Sequence, residues 1–191
     1  MADFALELSF DDASEAAVVR QWEALRAAGL PSQADHRSMT NAPHLTLVAA
    51  QTLDPALTAV ATATIALPAT LVVRGVVLLG VGARVTVALL VEPDHTLAAA
   101  AARVRDRVPD LRHPVWTPHV TLARRVPRTR LAELLEVLDA HPAPATLTCT
   151  RLRWWDPVTG EIEELARSQA SGRVDLESPA GPEATRSGQN S

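Results

Sequence analysis

Two stretches decide how this chain is read: Pro43-His44-Leu45-Thr46-Leu47 and, further along, Pro118-His119-Val120-Thr121-Leu122. Each has the pattern of a β-strand, in which successive side chains point to opposite faces. His44 and Thr46 then share one face, with Leu45 and Leu47 behind them. His119 and Thr121 likewise share a face, backed by Val120 and Leu122. One His-x-Thr on a strand usually marks a histidine bonded at the edge of a core. Two copies at equivalent places in the chain demand a second explanation.

Working outward, the same order of elements surrounds both stretches. Phe4 to Phe10 alternates as a strand, and Asp11, Asp12 and Ser14 offer caps to a helix ending near Gly29 and Pro31. A polar loop, Ser32 to Asn41, leads to the strand His44 to Ala50. Asp54-Pro55 opens a helix to about Leu67, and a strand follows at Leu71 to Leu79. The second copy begins at Arg84 with a strand to Val91. Asp94 caps a helix from Thr96 to Val108, stopped by Pro109. A strand covers His119 to Val126, a helix Thr129 to Ala140, and a closing hairpin Ala145 to Trp155 and Glu161 to Ala166.

The expected fold is therefore α+β and bilobal, a pseudo-two-fold internal duplication with lobes at about 1–80 and 81–167. From Ser168 to Ser191 the chain turns to Ser, Gly, Pro, Glu and Asn, the composition of a disordered tail.

Composition narrows the chemistry. Of 191 residues 47% are hydrophobic and 21% charged, enough apolar surface for a sizeable core. All 18 basic residues are arginine. Without lysine, Schiff-base catalysis, a Walker-A nucleotide site and self-adenylation of a lysine are excluded. The single cysteine, Cys149, excludes an internal disulfide and a cysteine-based zinc site. Met1 to Phe10 carries Asp3 and Glu7 and no basic residue, unlike a signal peptide. The apolar tract Ile65 to Val91 is interrupted by Pro68, Arg74, Gly80, Gly82 and Arg84, so no membrane span is expected. A soluble, cytoplasmic, monomeric protein with no protein partner is the expectation. The net charge of −4 hides eight arginines against two acids between Arg103 and Arg130. Such a cluster is either a solvated helix face or a surface that attracts phosphate.

If the two polar faces meet across a groove, two imidazoles and two hydroxyls converge. That set suits cleavage of a phosphodiester without a metal or other cofactor. One neutral imidazole takes a proton from the attacking oxygen and one imidazolium gives a proton to the departing one. Threonine hydroxyls donate to the non-bridging oxygens. Strict alternation puts Arg125 on the His119 face and Arg124 on the other, unless a bulge intervenes. His-x-Thr lacks metal-ligand spacing, so no metal site is expected.

The two Pro-His-x-Thr-Leu segments resemble the signature of the two-histidine (2H) phosphoesterase superfamily. The stretch Trp116 to Arg124 resembles the second motif of its bacterial 2′-5′ RNA ligase-like branch, and Phe10-Asp11-Asp12-Ala13-Ser14-Glu15 resembles the branch's first strand and helix. The resemblance covers roughly residues 4 to 166 and implies antiparallel sheets forming a central groove, with helices outside. It implies 2′,3′-cyclic phosphodiesterase or 2′-5′ ligase-type chemistry on RNA ends or small cyclic nucleotides. It also implies His44 and His119 as catalytic residues, and Thr46, Thr121 and Arg124 as substrate-binding residues. From the resemblance, His44 is the acid and His119 the base of hydrolysis; the symmetry of the motifs permits either order. Thr117 departs from the branch, where a basic residue often precedes the proline. A nucleotide- or RNA-binding module without turnover is the reading from outside the enzymes.

The remaining candidates have simple readings. His36, His95, His113 and His141 fall in loops or at helix ends, and His113 is the one worth testing. Trp154-Trp155 either stacks a base or lids the core. Cys149 lies in a strand with no activating base and reads as a buried spectator.

Overall fold

A computed structural model describes residues 3–36, 41–52 and 54–168 of the chain. Its elements follow the expected order. They are β1 (Phe4–Phe10), α1 (Asp12–Ala27), β2 (His44–Ala50), α2 (Ala56–Thr64) and β3 (Ala69–Leu79), then β4 (Arg84–Pro93), α3 (His95–Arg105), β5 (His119–Pro127), α4 (Leu131–Ala140), β6 (Thr146–Trp155) and β7 (Ile162–Arg167). The N-caps act as their residue types suggest. Asp11 Oδ1 accepts from Ser14 N at 2.8 Å, and Asp94 Oδ1 from Leu97 N at 2.7 Å. Helix α2 stops at Thr64, short of Leu67, because the residues leading into Pro68 must extend.

The strands form one continuous antiparallel sheet in the order β2-β1-β6-β3-β4-β5, with β7 also paired to β6. Sheets in the plural were expected; the two halves are instead joined by the short pairing of Ala69–Val72 in β3 with Thr146–Cys149 in β6. Exchanging β1, β2 and β3 for β4, β5 and β6 leaves this order unchanged. The helices obey the same exchange: α1 packs on β5 and α4, while α3 packs on β2 and α2. Strand β6 pairs with β1, and β3 with β4, so each half of the sheet takes its third strand from the other half of the chain. The division at residue 80 is one of sequence and not of sheet.

One face of the sheet is apolar and lies under the helices. Leu6, Leu8, Phe10, Leu45, Leu47, Val87, Val120, Leu122 and Leu152 are fully buried there with Val18 and Leu25 of α1 and Leu134 of α4. Each such side chain contributes about 1.5–3 kcal/mol. A one-residue slip of either motif strand would bury its histidine and expose its leucines, so the register is strongly held. Of the expected tail, Ser168 donates its backbone N–H to Thr150 O at 2.8 Å, and residues 169–191 lie outside the described residues. No helix among the described residues is long and apolar enough to cross a membrane.

Candidate active site

The two motif strands stand at opposite ends of the strand order, yet they contact one another. The sheet curls far enough to bring its edges together. As alternation requires, Leu45, Leu47, Val120 and Leu122 are buried, while His44, Thr46, His119 and Thr121 are only half-buried. Both histidine rings are fixed in the same way. His44 Nδ1 lies 2.8 Å from Ala42 O, and His119 Nδ1 lies 2.7 Å from Thr117 O. A carbonyl only accepts, so each Nδ1 carries the proton and donates it, which leaves each Nε2 for proton transfer. Neither threonine hydroxyl is engaged by another described residue.

An edge strand leaves backbone carbonyls that need donors. Here they come from the other half of the sequence. Trp116 Nε1 donates to Thr46 O at 3.0 Å, and Trp22 Nε1 donates to Thr121 O at 3.0 Å. Arg105, buried in α3, adds Nη1 to Leu47 O at 2.6 Å and Nη2 to His113 O and Pro114 O. That guanidinium fastens the approach to the second motif onto the first motif strand; burial holds its pKa below the usual value. These indoles and Arg105 escaped the sequence reading. Trp116 stands inside the quoted second motif, so its place was visible although its bond was not.

The floors beneath the two histidines differ. Strand β1 sets Ser9 opposite His44 and Glu7 opposite Thr46, whereas β4 sets Leu90 opposite His119 and Ala88 opposite Thr121. Glu7 is buried, and its Oε1 lies 3.3 Å from His44 Nε2. Its Oε2 accepts from Arg153 Nε at 3.0 Å and lies 2.9 Å from Nη2 of the same guanidinium, itself buried.

Past Thr121 the β4–β5 ladder slips twice. Ala88 pairs with Thr121, Val87 with Ala123 and Val85 with Val126. The first slip inserts Leu122 and reverses the parity, so Ala123 faces the core and Arg124 returns to the face of His119 and Thr121. The second holds Arg125 at φ +58°, outside the usual range for a side-chain-bearing residue. Alternation alone favoured Arg125; the bulge places Arg124 on the motif face. Elsewhere the arginine cluster is partly structural. Arg105 acts as described, Arg128 donates to Gly80 O and Gly82 O at the β3–β4 turn, and Arg130 pairs with Glu133 and donates to Gly29 O.

A family model described as the 2′-5′ RNA ligase superfamily matches residues 10–161. The chain belongs to this superfamily. Among solved structures, it resembles Usb1 of Kluyveromyces marxianus at a TM-score of 0.53 and 13% identity, covering 86% of this chain and 98% of that one. It resembles E. coli LigT complexed with 3′-AMP at 0.52 and 14%, covering 85% and 92%. A structure described as a phosphoesterase matches at 0.50 and 18%, covering 88% and 100%. At these identities the likeness is one of fold. No curated protein matches the sequence.

The other candidate histidines lie in loops or at the ends of helices. His141 Nδ1 bonds Val137 O at the end of α4, His36 closes a 3-10 turn after Ser32, and His95 opens α3. His113 contributes its carbonyl to Arg105. Trp154 packs on Phe4 with ring centroids 5.9 Å apart and joins the rim of the core, while Trp155 pairs with Ala5 on the opposite face, that of Glu7 and Arg153. Cys149 is fully buried, and burial with Asp11 nearby pushes its thiol up to about 12, which makes it a spectator. Among the described residues no three His, Cys, Asp or Glu side chains gather as a metal site would need. Two cavities of about 430 and 440 Å³ lie beyond the end of β2, lined by residues such as Asp3, Thr52, Asp54, Arg107, Asp110 and Arg112, and neither motif lines them.

Proposed function

We propose that this chain is a metal-independent phosphodiesterase that hydrolyses 2′,3′-cyclic phosphates on RNA ends or small nucleotides by two-histidine general acid–base catalysis. The observation that carries the reading is the matched pair of Nδ1 bonds, which fixes both tautomers and leaves two Nε2 atoms on contacting strands. One Nε2 takes a proton from water as its oxygen attacks phosphorus. The other gives a proton to the ribose oxygen as its bond to phosphorus breaks, leaving a phosphomonoester. Thr46 and Thr121 supply hydroxyl donors to the non-bridging oxygens, and Arg124 adds positive charge beside them. A structure of E. coli LigT with 3′-AMP supports a substrate of nucleotide size. The protein acts as a cytoplasmic monomer.

The same two proton carriers run in reverse would join RNA ends through a 2′-5′ bond. The deciding assay offers the four nucleoside 2′,3′-cyclic monophosphates and a cyclic-ended RNA oligomer. The proposal expects turnover of at least one, lost on replacing either histidine. Silence on every substrate would overturn it and leave a nucleotide- or RNA-binding module.

A further inference from the structure

The symmetry of the two motifs ends at the strands beside them. Glu7 and Arg153 are both buried, at 7% and 8% exposure, and a carboxylate taken out of water stays ionised only with strong partners. Arg153 donates Nε–H to Oε2 at 3.0 Å and holds Nη2 2.9 Å from the same oxygen, so Glu7 has its cation and Oε1 is left turned to His44. Both nitrogens of His44 therefore face acceptors: Nδ1 the carbonyl of Ala42 at 2.8 Å, and Nε2 the carboxylate at 3.3 Å. A bare lone pair on Nε2 would oppose the carboxylate, whereas a proton there puts positive charge 3.3 Å from it. His119 has its carbonyl acceptor on Nδ1, but its cross-strand neighbours Leu90 and Ala88 offer Nε2 nothing.

We propose that Glu7, clamped by Arg153, is a positioning residue that keeps the proton on His44 Nε2 and so makes two like histidines unlike. Where the proton sits is independent of any reaction; the catalytic consequence rests on the proposed hydrolysis. In it, His119 Nε2 takes the proton of the attacking water, the new P–O bond forms, and His44 Nε2 protonates the departing ribose oxygen. Solvent then returns both imidazoles to their starting states. Among the described residues, other charged groups stand on the elements packed around the strand of His44. On β6, Arg153 stands behind Glu7, because β1 lies between β2 and β6, and Arg151 is paired in register with Ser9 and reaches toward Asp12 at 3.5 Å. The contacting strand β5 brings His119 and Arg124, and α3 brings Arg105, which donates to Leu47 O. The arginines oppose an imidazolium, which leaves Glu7, among the described residues, as the group that holds it.

The test is NMR of the imidazole nitrogens in ¹⁵N-labelled full-length protein at neutral pH. In the wild type His44 should show protons on both nitrogens and His119 on Nδ1 alone. In Glu7→Gln, close in shape, the Nε2 proton of His44 should be lost and His119 should be unchanged. A wild-type His44 protonated only on Nδ1, or one indifferent to Glu7→Gln, would overturn the proposal. Should the variant fail to fold, the wild-type spectrum still decides. In turnover of a 2′,3′-cyclic phosphate, Glu7→Gln should lower kcat by roughly 10- to 100-fold with KM little changed. A wild-type kcat in that variant would overturn the catalytic half. Absence of turnover in the wild type would instead refute the proposed function and leave the NMR result standing.

Discussion

The strand of His44 and the strand of His119 match residue for residue in chemistry, but the strands beside them do not. Beneath the first lie Ser9, Glu7 and, one strand further, Arg153; beneath the second lie Leu90 and Ala88. The shared part places two imidazoles by one rule, Nδ1 to the carbonyl two residues back. The unshared part gives one of them a carboxylate and the other an apolar bed. On the proposal that Glu7 holds the proton on His44, placement and protonation are set by different residues, and a site can keep its symmetry in the first while losing it in the second.

The largest expected effect would show that both halves of the comparison are needed. His44→Ala and His119→Ala should each reduce kcat/KM for a cyclic phosphate by roughly 100-fold or more. The double variant should be little worse than the worse single one, because groups acting as a unit are not additive. Near-normal turnover in either single variant would remove the two-histidine mechanism.

A sharper version sets Arg124 against Arg125. Arg124→Ala should raise KM about 10-fold, a loss near 1.4 kcal/mol, while Arg125→Ala should leave KM within about 2-fold. The reverse ranking would mean that the bulge after Thr121 turns the arginines the other way. The backbone strain at Arg125 gives an independent check, since Arg125→Gly should fold at least as well as the parent.

Smaller effects belong to the crossed indole bonds. Trp116→Phe and Trp22→Phe each leave a motif-strand carbonyl without its donor, at a cost of about 1–3 kcal/mol. The two losses should be similar in denaturant unfolding; a neutral Trp22→Phe would show that water replaces the indole on one side alone. Smallest of all is the behaviour of Cys149. Its thiol is pushed up from 9.0 to about 12, so the folded state holds that proton more tightly than the unfolded one. Stability from this source is full below about pH 9 and falls as pH rises toward 12. The native thiol should resist iodoacetamide at neutral pH and react once urea unfolds the chain.

Much of this was legible in the chain because it is written in local pattern. The alternation around His44 and His119, the caps Asp11 and Asp94, and the glycines at the β3–β4 turn are short-range signals, and they fixed the elements, their order and the motif residues. What was not legible depends on which strands become neighbours. Glu7 in the sequence is one acid in an alternating strand; only the pairing of β1 with both β2 and β6 puts it between His44 and Arg153. The exchange of third strands and the single sheet are long-range facts of the same kind. The bulge was anticipated as a possibility and no more, because Arg124-Arg125 carries no glycine to announce a residue at positive φ.

The central claim, that two imidazoles alone carry the proton traffic of phosphodiester cleavage, is tested most directly by the pH dependence of kcat/KM for a 2′,3′-cyclic phosphate in the presence of chelator. The account predicts a bell around neutrality, since protonation silences the base at low pH and deprotonation silences the acid at high pH, with a height that chelator does not change. Loss of all activity in chelator, restored by one divalent ion, would contradict it and make His44 and His119 metal ligands.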